Sequence, residues 1–204
     1  MALSDIKHLL FTGMAGAALV LSGCATNDTA PSGYPQQQQQ KQTQQGYEED
    51  EIVDAIAVHM GVTAESAATA IERIFKDQGR PVGYITGEEG GGALTIGVRY
   101  GKGTLWMKNG ESRKVYWQGP TIGFDVGADA SKVFTLVYAL DDPDMIYRRY
   151  PGVDGSAYLV AGMAVNYQRA NGITLAPIRT GVGLRLGAKV GYTAYSRKRK
   201  IIPL

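Results

Sequence analysis

Glycine density inside alternating apolar stretches constrains this chain more than any other feature. Twenty of its 27 glycines lie between Gly83 and Gly191, where apolar residues recur at every second position, the spacing of a strand with one buried face. Glycine weakens an open strand, because it has no side chain to pack and the most backbone freedom to lose. Such density is tolerable where strands bend, bulge or approach closely, as a small closed barrel requires. Closure also removes the edges that a row of exposed strands would leave open to association. In the most aromatic stretch, Val115 and Trp117 precede a Gly119-Pro120 break and Ile122, Phe124 and Val126 follow it in the same alternation. Proline gives no ladder hydrogen bond, so the pattern predicts two strands meeting at a corner. Tyr116, Trp117, Gly119, Pro120 and Phe124 form a candidate aromatic surface there.

Strands are predicted over 83–86, 93–100, 103–108, 111–117, 121–126, 131–140, 156–169, 173–179 and 183–195. Asn109-Gly110 and Asn171-Gly172 fall between such segments, and Asn-Gly favours a hairpin because both residues accept φ > 0. Asp142-Pro143 predicts a short helical turn through Met145, Ile146 and Tyr147, closed by Pro151-Gly152. Ahead of the strands, the acidic cluster Glu48 to Glu51 precedes Ile52, Val53, Ile56 and Met60, spaced for one helical face and ended by Gly61. Thr63 caps a second helix whose stripe is Ala67, Ala70, Ile71, Ile74 and Phe75, stopped by Gly79 and Pro81. The expected class is mainly β: a small antiparallel β-barrel preceded by two short helices, with a further helical turn between strands.

The barrel is expected to occupy 47–204, a length that buries roughly 68–70% of its unfolded surface and so needs no disulfide or metal. Residues 1–23 read as a signal peptide, with Lys7 ahead of an uncharged stretch of about a dozen residues, too short to span a bilayer. They end Leu21-Ser22-Gly23-Cys24, which resembles the lipobox of bacterial lipoproteins and implies lipidation of Cys24, the sole cysteine. The alternative is an ordinary cleaved signal. Ala25 after the cysteine points to the outer membrane by resemblance to sorted lipoproteins. Acyl chains, at about 0.8 kcal/mol per buried CH₂, anchor a protein without a transmembrane helix. Residues 24–46, with glutamine from Gln36 to Gln40, have no apolar periodicity and read as a disordered tether.

Charge is uneven. From Cys24 to Asp154 there are 12 basic and 18 acidic residues, whereas the last fifty residues carry eight basic and no acidic ones. That tail makes Arg179, Arg185, Lys189, Arg197, Lys198, Arg199 and Lys200 candidate contacts for an anionic lipid or lipopolysaccharide, the alternative being solubilising charge. Catalytic patterns are sparse. His59 is the one histidine beyond the signal and reads as a half-buried or surface helix residue; neither a nucleophile elbow nor a ligand set for zinc is present, and no cofactor is expected. Glu88 and Glu89 read as part of a mobile Gly-rich turn. Adjacent extended residues point to opposite faces, which disfavours a glycan-cleaving carboxylate pair. Aromatic residues beside Arg113 and Lys114 read as cross-strand packing and not as a nucleic-acid surface.

Gly87-Glu-Glu-Gly, Tyr100-Gly-Lys-Gly-Thr-Leu, Val115-Tyr-Trp-Gln-Gly-Pro, Ile146-Tyr-Arg-Arg-Tyr, Gly155-Ser-Ala-Tyr and Ile178-Arg-Thr-Gly-Val-Gly-Leu-Arg-Leu-Gly together resemble the alphaproteobacterial envelope-integrity (EipA) family, from about Asp50 to Tyr195. The resemblance implies a periplasmic β-barrel without known catalytic activity, acting in envelope integrity. The apparent lipobox and Gln-rich tether depart from that family, associated more with plain secretion. A weaker similarity, over Tyr116 to Pro120 and on to Gly127-Ala128, is to the lipid-binding SYLF domain. The expectation is a non-enzymatic, lipid-anchored protein on the periplasmic side that binds an anionic envelope lipid. The rival is a protein-interaction scaffold using Tyr116, Trp117 and Phe124 or the acidic Glu48–Asp54 face.

Overall fold

The computed structural model describes residues 46–92, 96–122, 131–180 and 191–200. Cys24, Phe124, Arg185 and Lys189 lie outside the described residues, as does the region read as signal and tether up to residue 45.

Two helices come first. α1 (Glu49–Met60) starts where the Glu48 N–H donates to Glu51 Oε2 at 2.8 Å and ends at Gly61 with φ 69°, the left-handed closure that glycine takes without strain. α2 (Ala64–Gln78) is capped by Thr63, whose Oγ1 accepts from Ser66 N, and stops at Gly79, φ 77°. Gly61, Thr63 and Gly79 stand where the sequence places them. Ile52, Ile56 and Met60 of α1 and Ala67, Ala70, Ile71 and Ile74 of α2 are buried, one stripe per helix at the 3–4 residue spacing.

Ten strands follow among the described residues: β1 (Gly83–Gly92), β2 (Ile96–Met107), β3 (Ser112–Ile122), β4 (Ser131–Tyr138), β5 (Arg149–Pro151), β6 (Tyr158–Val160), β7 (Met163–Val165), β8 (Gln168–Ala170), β9 (Ile173–Arg179) and β10 (Tyr192–Ser196). A 3-10 turn, Pro143–Ile146, lies between β4 and β5, its first turn capped by Asp142 Oδ1 accepting from Asp144 N at 2.8 Å. All pairings are antiparallel, in the order β5-β10-β3-β2-β1-β4-β9-β7-β6, with β8 also on β9. Gly152, just after β5, forms an antiparallel bridge with Gln168 of β8. The path β5-β10-β3-β2-β1-β4-β9-β8 thus returns to its first strand, and the sheet curls into a barrel.

Several strand boundaries differ from the sequence reading. Gly119 and Pro120 lie inside one continuous strand, β3, with Pro120 opposite Val98 of β2. Among the described residues pairing with β10 reaches Gln118, so no rung there needs the missing proline N–H. Gly119 serves close approach: a Cβ there would overlap the Tyr192 carbonyl oxygen. Gly87 to Gly92 is not a turn but the second half of β1, paired with β2 along its whole length. The single strand expected over 156–169 is instead β6, β7 and the start of β8, because Ala161 and Gly162 both take positive φ, 47° and 76°, and turn the chain.

The two hairpin signals hold. Asn171 and Gly172 take φ 49° and 82° between β8 and β9. At Asn109-Gly110 only Gly110 is left-handed, φ 90°, in a four-residue turn closed by Met107 N to Glu111 O at 2.8 Å.

Two apolar layers result. The helices cover the outer faces of β4, β7 and β9, where Phe134, Leu136, Tyr138, Met163, Val165, Ala176 and Ile178 join the helix stripes. Inside the barrel lie Ile85, Leu105, Val115, Trp117, Val133, Val137, Tyr150, Ile173, Leu175 and Tyr195, with Leu140 and Ile146 packed against them. The interior at this level is filled with side chains, as expected when about eight strands close. His59, half-buried on α1, reaches through to the sheet backbone: its Nε2 lies 3.1 Å from the Gly87 and Val133 carbonyl oxygens and 3.2 Å from Gly87 N.

Candidate functional site

Inside the barrel lies a carboxylate that period-two reasoning places there and apolar patterning does not foresee. Along β1, Ile85, Gly87 and Glu89 face inward and are buried, while Glu88 points out, opposite Lys102 on one side and Lys132 on the other. Glu89 is 8% exposed. An isolated buried carboxylate is strongly unfavourable, so it needs partners. Arg179, at the end of β9, supplies them: its Nε donates to Glu89 Oε1 and its Nη2 to Oε2 at 3.4 Å. Arg179 Nη1 also donates to Asn166 Oδ1 at 3.0 Å, and Trp117 Nε1 donates to Glu89 Oε2 at 3.1 Å.

The glycines of β1 and β2 make room for this arrangement. Trp117 pairs in register with Gly101, which in turn pairs with Glu89. A Cβ on Gly101 would overlap the Trp117 indole, and one on Gly87 would lie 2.5 Å from both Trp117 Cη2 and the Lys102 carbonyl oxygen. The indole therefore lies flat over two glycines, which carries its N–H to the carboxylate. Tyr195 packs beside it, ring centroids 5.8 Å apart, and Tyr150 meets Tyr195 edge-on at 5.7 Å.

The electrostatics follow from these contacts. Burial raises the Glu89 pKa, but Arg179, then Arg99, together with the Arg179 and Trp117 hydrogen bonds, overcome it and pull the carboxyl down to about 2. Burial pushes the Tyr195 phenol up to about 12, only partly offset by Arg179 and a hydrogen bond with Thr135. Glu89 is thus a fixed anion at neutral pH, with no proton to give to a leaving group. Glu88 and Glu89 lie on opposite sides of the barrel wall and share no substrate space.

The predicted site residues are spread widely. Trp117 is 3% exposed and points into the barrel, Gly119 is buried against β10, and Tyr116 and Pro120 are half-buried. Arg179, read as a phosphate contact, is an inward group held by Glu89, its side chain only 12% exposed. Arg197, Lys198, Arg199 and Lys200 are exposed, just past β10. Arg197 pairs with Asp144 at 2.9 Å and lies 5.0 Å above the Tyr147 ring. Of the acidic helix face, Glu48 pairs with Arg80 and Glu51 with Lys108, both at 2.7 Å. Among the described residues no helix is long and apolar enough to cross a membrane.

Two helices over a curled antiparallel sheet whose interior is packed around a buried ion pair define a β-barrel-like protein of mainly β class. The chain belongs to the envelope integrity protein A family, whose model matches residues 45–204, and the family's name associates it with the integrity of the cell envelope. A crystal structure described as a β-barrel-like, uncharacterized protein of Brucella abortus is 44% identical; the match covers 78% of this chain and 99% of that one, with a TM-score of 0.72. No curated protein matches. The comparisons indicate no enzymatic family.

Proposed function

We propose that this chain is a non-enzymatic lipoprotein of the cell envelope, anchored through Cys24 on the periplasmic side of the outer membrane, with 1–23 as its signal and 24–46 as its tether. It supports envelope integrity by binding an anionic lipid or glycolipid headgroup on its surface. One observation carries the reading: the cations at 197–200 are exposed at the end of a barrel whose described interior is occupied by side chains. An anionic ligand then meets the outside of the domain and not an enclosed acyl pocket. Glu89, deprotonated and tied to Arg179 and Trp117, supports the non-enzymatic part.

Metabolic palmitate labelling tests the anchor: incorporation that disappears in Cys24→Ser is expected, and an unlabelled wild-type chain would sink it. Lipopolysaccharide binding at low and high salt tests the surface. Binding lost with salt is expected, because exposed charge pairs are screened. Binding that persists at high salt would point to an enclosed apolar site instead.

A further inference from the structure

The outer face of β2 and β3 lies apart from the helices. Leu105, Met107, Val115 and Trp117 belong to the barrel interior, so alternation turns Lys102, Thr104 and Trp106 of β2, and Ser112, Lys114 and Tyr116 of β3, outward. Among the described residues none from β2 or β3 joins the layer covered by the helices. Trp106 pairs with Ser112, Thr104 with Lys114, and Lys102 with Tyr116. An aromatic ring therefore stands at each end of this strip, the two roughly 14 Å apart along the strands.

Trp106 is 42% exposed, although an indole has much apolar area to gain from burial. Its Nε1 donates to Thr86 Oγ1 at 2.9 Å. Thr86 is on β1, two residues beyond Tyr84, the partner of Trp106 in that pairing. To make the bond the ring has to lie across the gap between the two strands, so it is held flat against the sheet. The bond also uses its one polar atom, and what the ring shows to solvent is carbon. Charges of both signs border the strip. Glu88 stands opposite Lys102, Lys108 binds Glu51 with Glu48 to Asp50 beyond it, and the cations of 197–200 follow β10, whose Ser196 pairs with Tyr116. The fixed indole, and not an excess of one charge, is what distinguishes the strip.

We propose that this strip is a non-catalytic binding face for a glycan strand, the β-1,4-linked amino-sugar backbone of the cell wall, with one sugar stacked on Trp106 and the chain running towards Tyr116. A pyranose with equatorial substituents presents C–H groups on its two faces and hydrogen-bonding groups round its edge. The C–H face fits an indole whose own polar atom is satisfied. The edge meets the hydroxyls of Thr104 and Ser112 and the ammonium groups of Lys102 and Lys114, which donate to neutral sugar oxygens as they would to water. A β-1,4-linked chain is an extended ribbon and can follow two strands lengthwise. The inference goes beyond the lipid reading: it uses a different face from 197–200 and a ligand recognised without charge, and it shares with that reading only the periplasmic location.

The chain has two tryptophans, Trp106 and Trp117, so NMR of the indole N–H groups reads the site directly. The full chain carrying Cys24→Ser is titrated with chitotetraose, an uncharged β-1,4-linked tetrasaccharide. The Trp106 signal should shift saturably, equally at low and high salt, while the signal of Trp117, bound to Glu89 inside the barrel, stays in place. Trp106→Ala should weaken co-sedimentation with purified peptidoglycan sacculi about tenfold, the effect of losing one stacking contact. Trp106→Phe should restore part of that loss, since a phenyl ring stacks but cannot bond Thr86. An unmoved Trp117 signal shows that each variant is folded. A Trp106 signal indifferent to chitotetraose, or sacculi bound equally well by Trp106→Ala, overturns the inference. So does a shift produced by the lipid-free saccharide of lipopolysaccharide and not by chitotetraose. Lys198→Glu combined with Lys200→Glu should lower lipopolysaccharide binding and leave the chitotetraose shift intact, so that either reading can fail without the other.

Discussion

Replacing Glu89 with glutamine removes a charge from inside the barrel while keeping the side chain's shape and an acceptor for Trp117 Nε1. Arg179, 12% exposed at its side chain, is then left in the interior without its carboxylate. Removing one partner of a buried ion pair typically costs about 3–5 kcal/mol, chiefly the penalty of the charge left behind. For a domain of this size about 1 kcal/mol shifts Tm by roughly 2–4 °C, so Glu89→Gln should melt about 6–20 °C lower by circular dichroism. Arg179→Met is expected to cost less, because Arg99 still acts on the carboxylate. The double variant should lose at least about 1 kcal/mol less than the sum of the two singles, the mark of groups in one network. Acid gives a second reading of the same contact. The folded carboxyl lies near 2, below its ordinary 4.5, so the stability it contributes is present above about pH 4.5 and is lost as pH falls towards 2. The gap between wild type and Glu89→Gln should narrow across that window. A Glu89→Gln chain within about 1 kcal/mol of wild type at pH 7, or strict additivity in the cycle, would refute the argument.

Two further expectations follow from close contacts. Gly101→Ala should destabilise by about 1–3 kcal/mol through overpacking against the Trp117 indole, and Trp117→Leu should recover part of that loss; Gly87→Ala should resist the same rescue in urea unfolding, because the Lys102 carbonyl also stands in its way. His59→Phe should cost about 1–3 kcal/mol by removing the Nε2 acceptor of the Gly87 N–H, with faster amide hydrogen exchange at Gly87; unchanged exchange would show that the imidazole accepts no hydrogen bond there.

The local signals were legible because they act over a few residues. Thr63, Gly61 and Gly79 bound the helices as predicted, Asp142 and Pro143 start the 3-10 turn, and Asn171-Gly172 turns a hairpin. Each rests on one φ angle or one capping hydrogen bond. The glycine count and period-two pattern also indicated a closed antiparallel sheet. The errors arose where a local rule met a long-range neighbour. Pro120 looked like a corner, yet it continues β3 opposite Val98 of β2. Glu88-Glu89 in a run of glycines looked like a mobile turn, yet β2 pairs with that whole half of β1.

By itself the sequence determined that this protein has two capped helices followed by a glycine-rich sheet able to close, together with a basic last quarter. Only tertiary structure decided which of its polar residues belong inside. Alternation separates the two faces of a strand without saying which is interior, and in β4 and β9 both faces are buried, one under the helices and one in the barrel, so the pattern disappears there. A carboxylate is accepted in a barrel only if a cation reaches it. Arg179 reaches Glu89 across 90 residues of chain, and the Trp117 N–H reaches it because Gly87 and Gly101, which look like breaks in a strand, leave the indole room to lie flat.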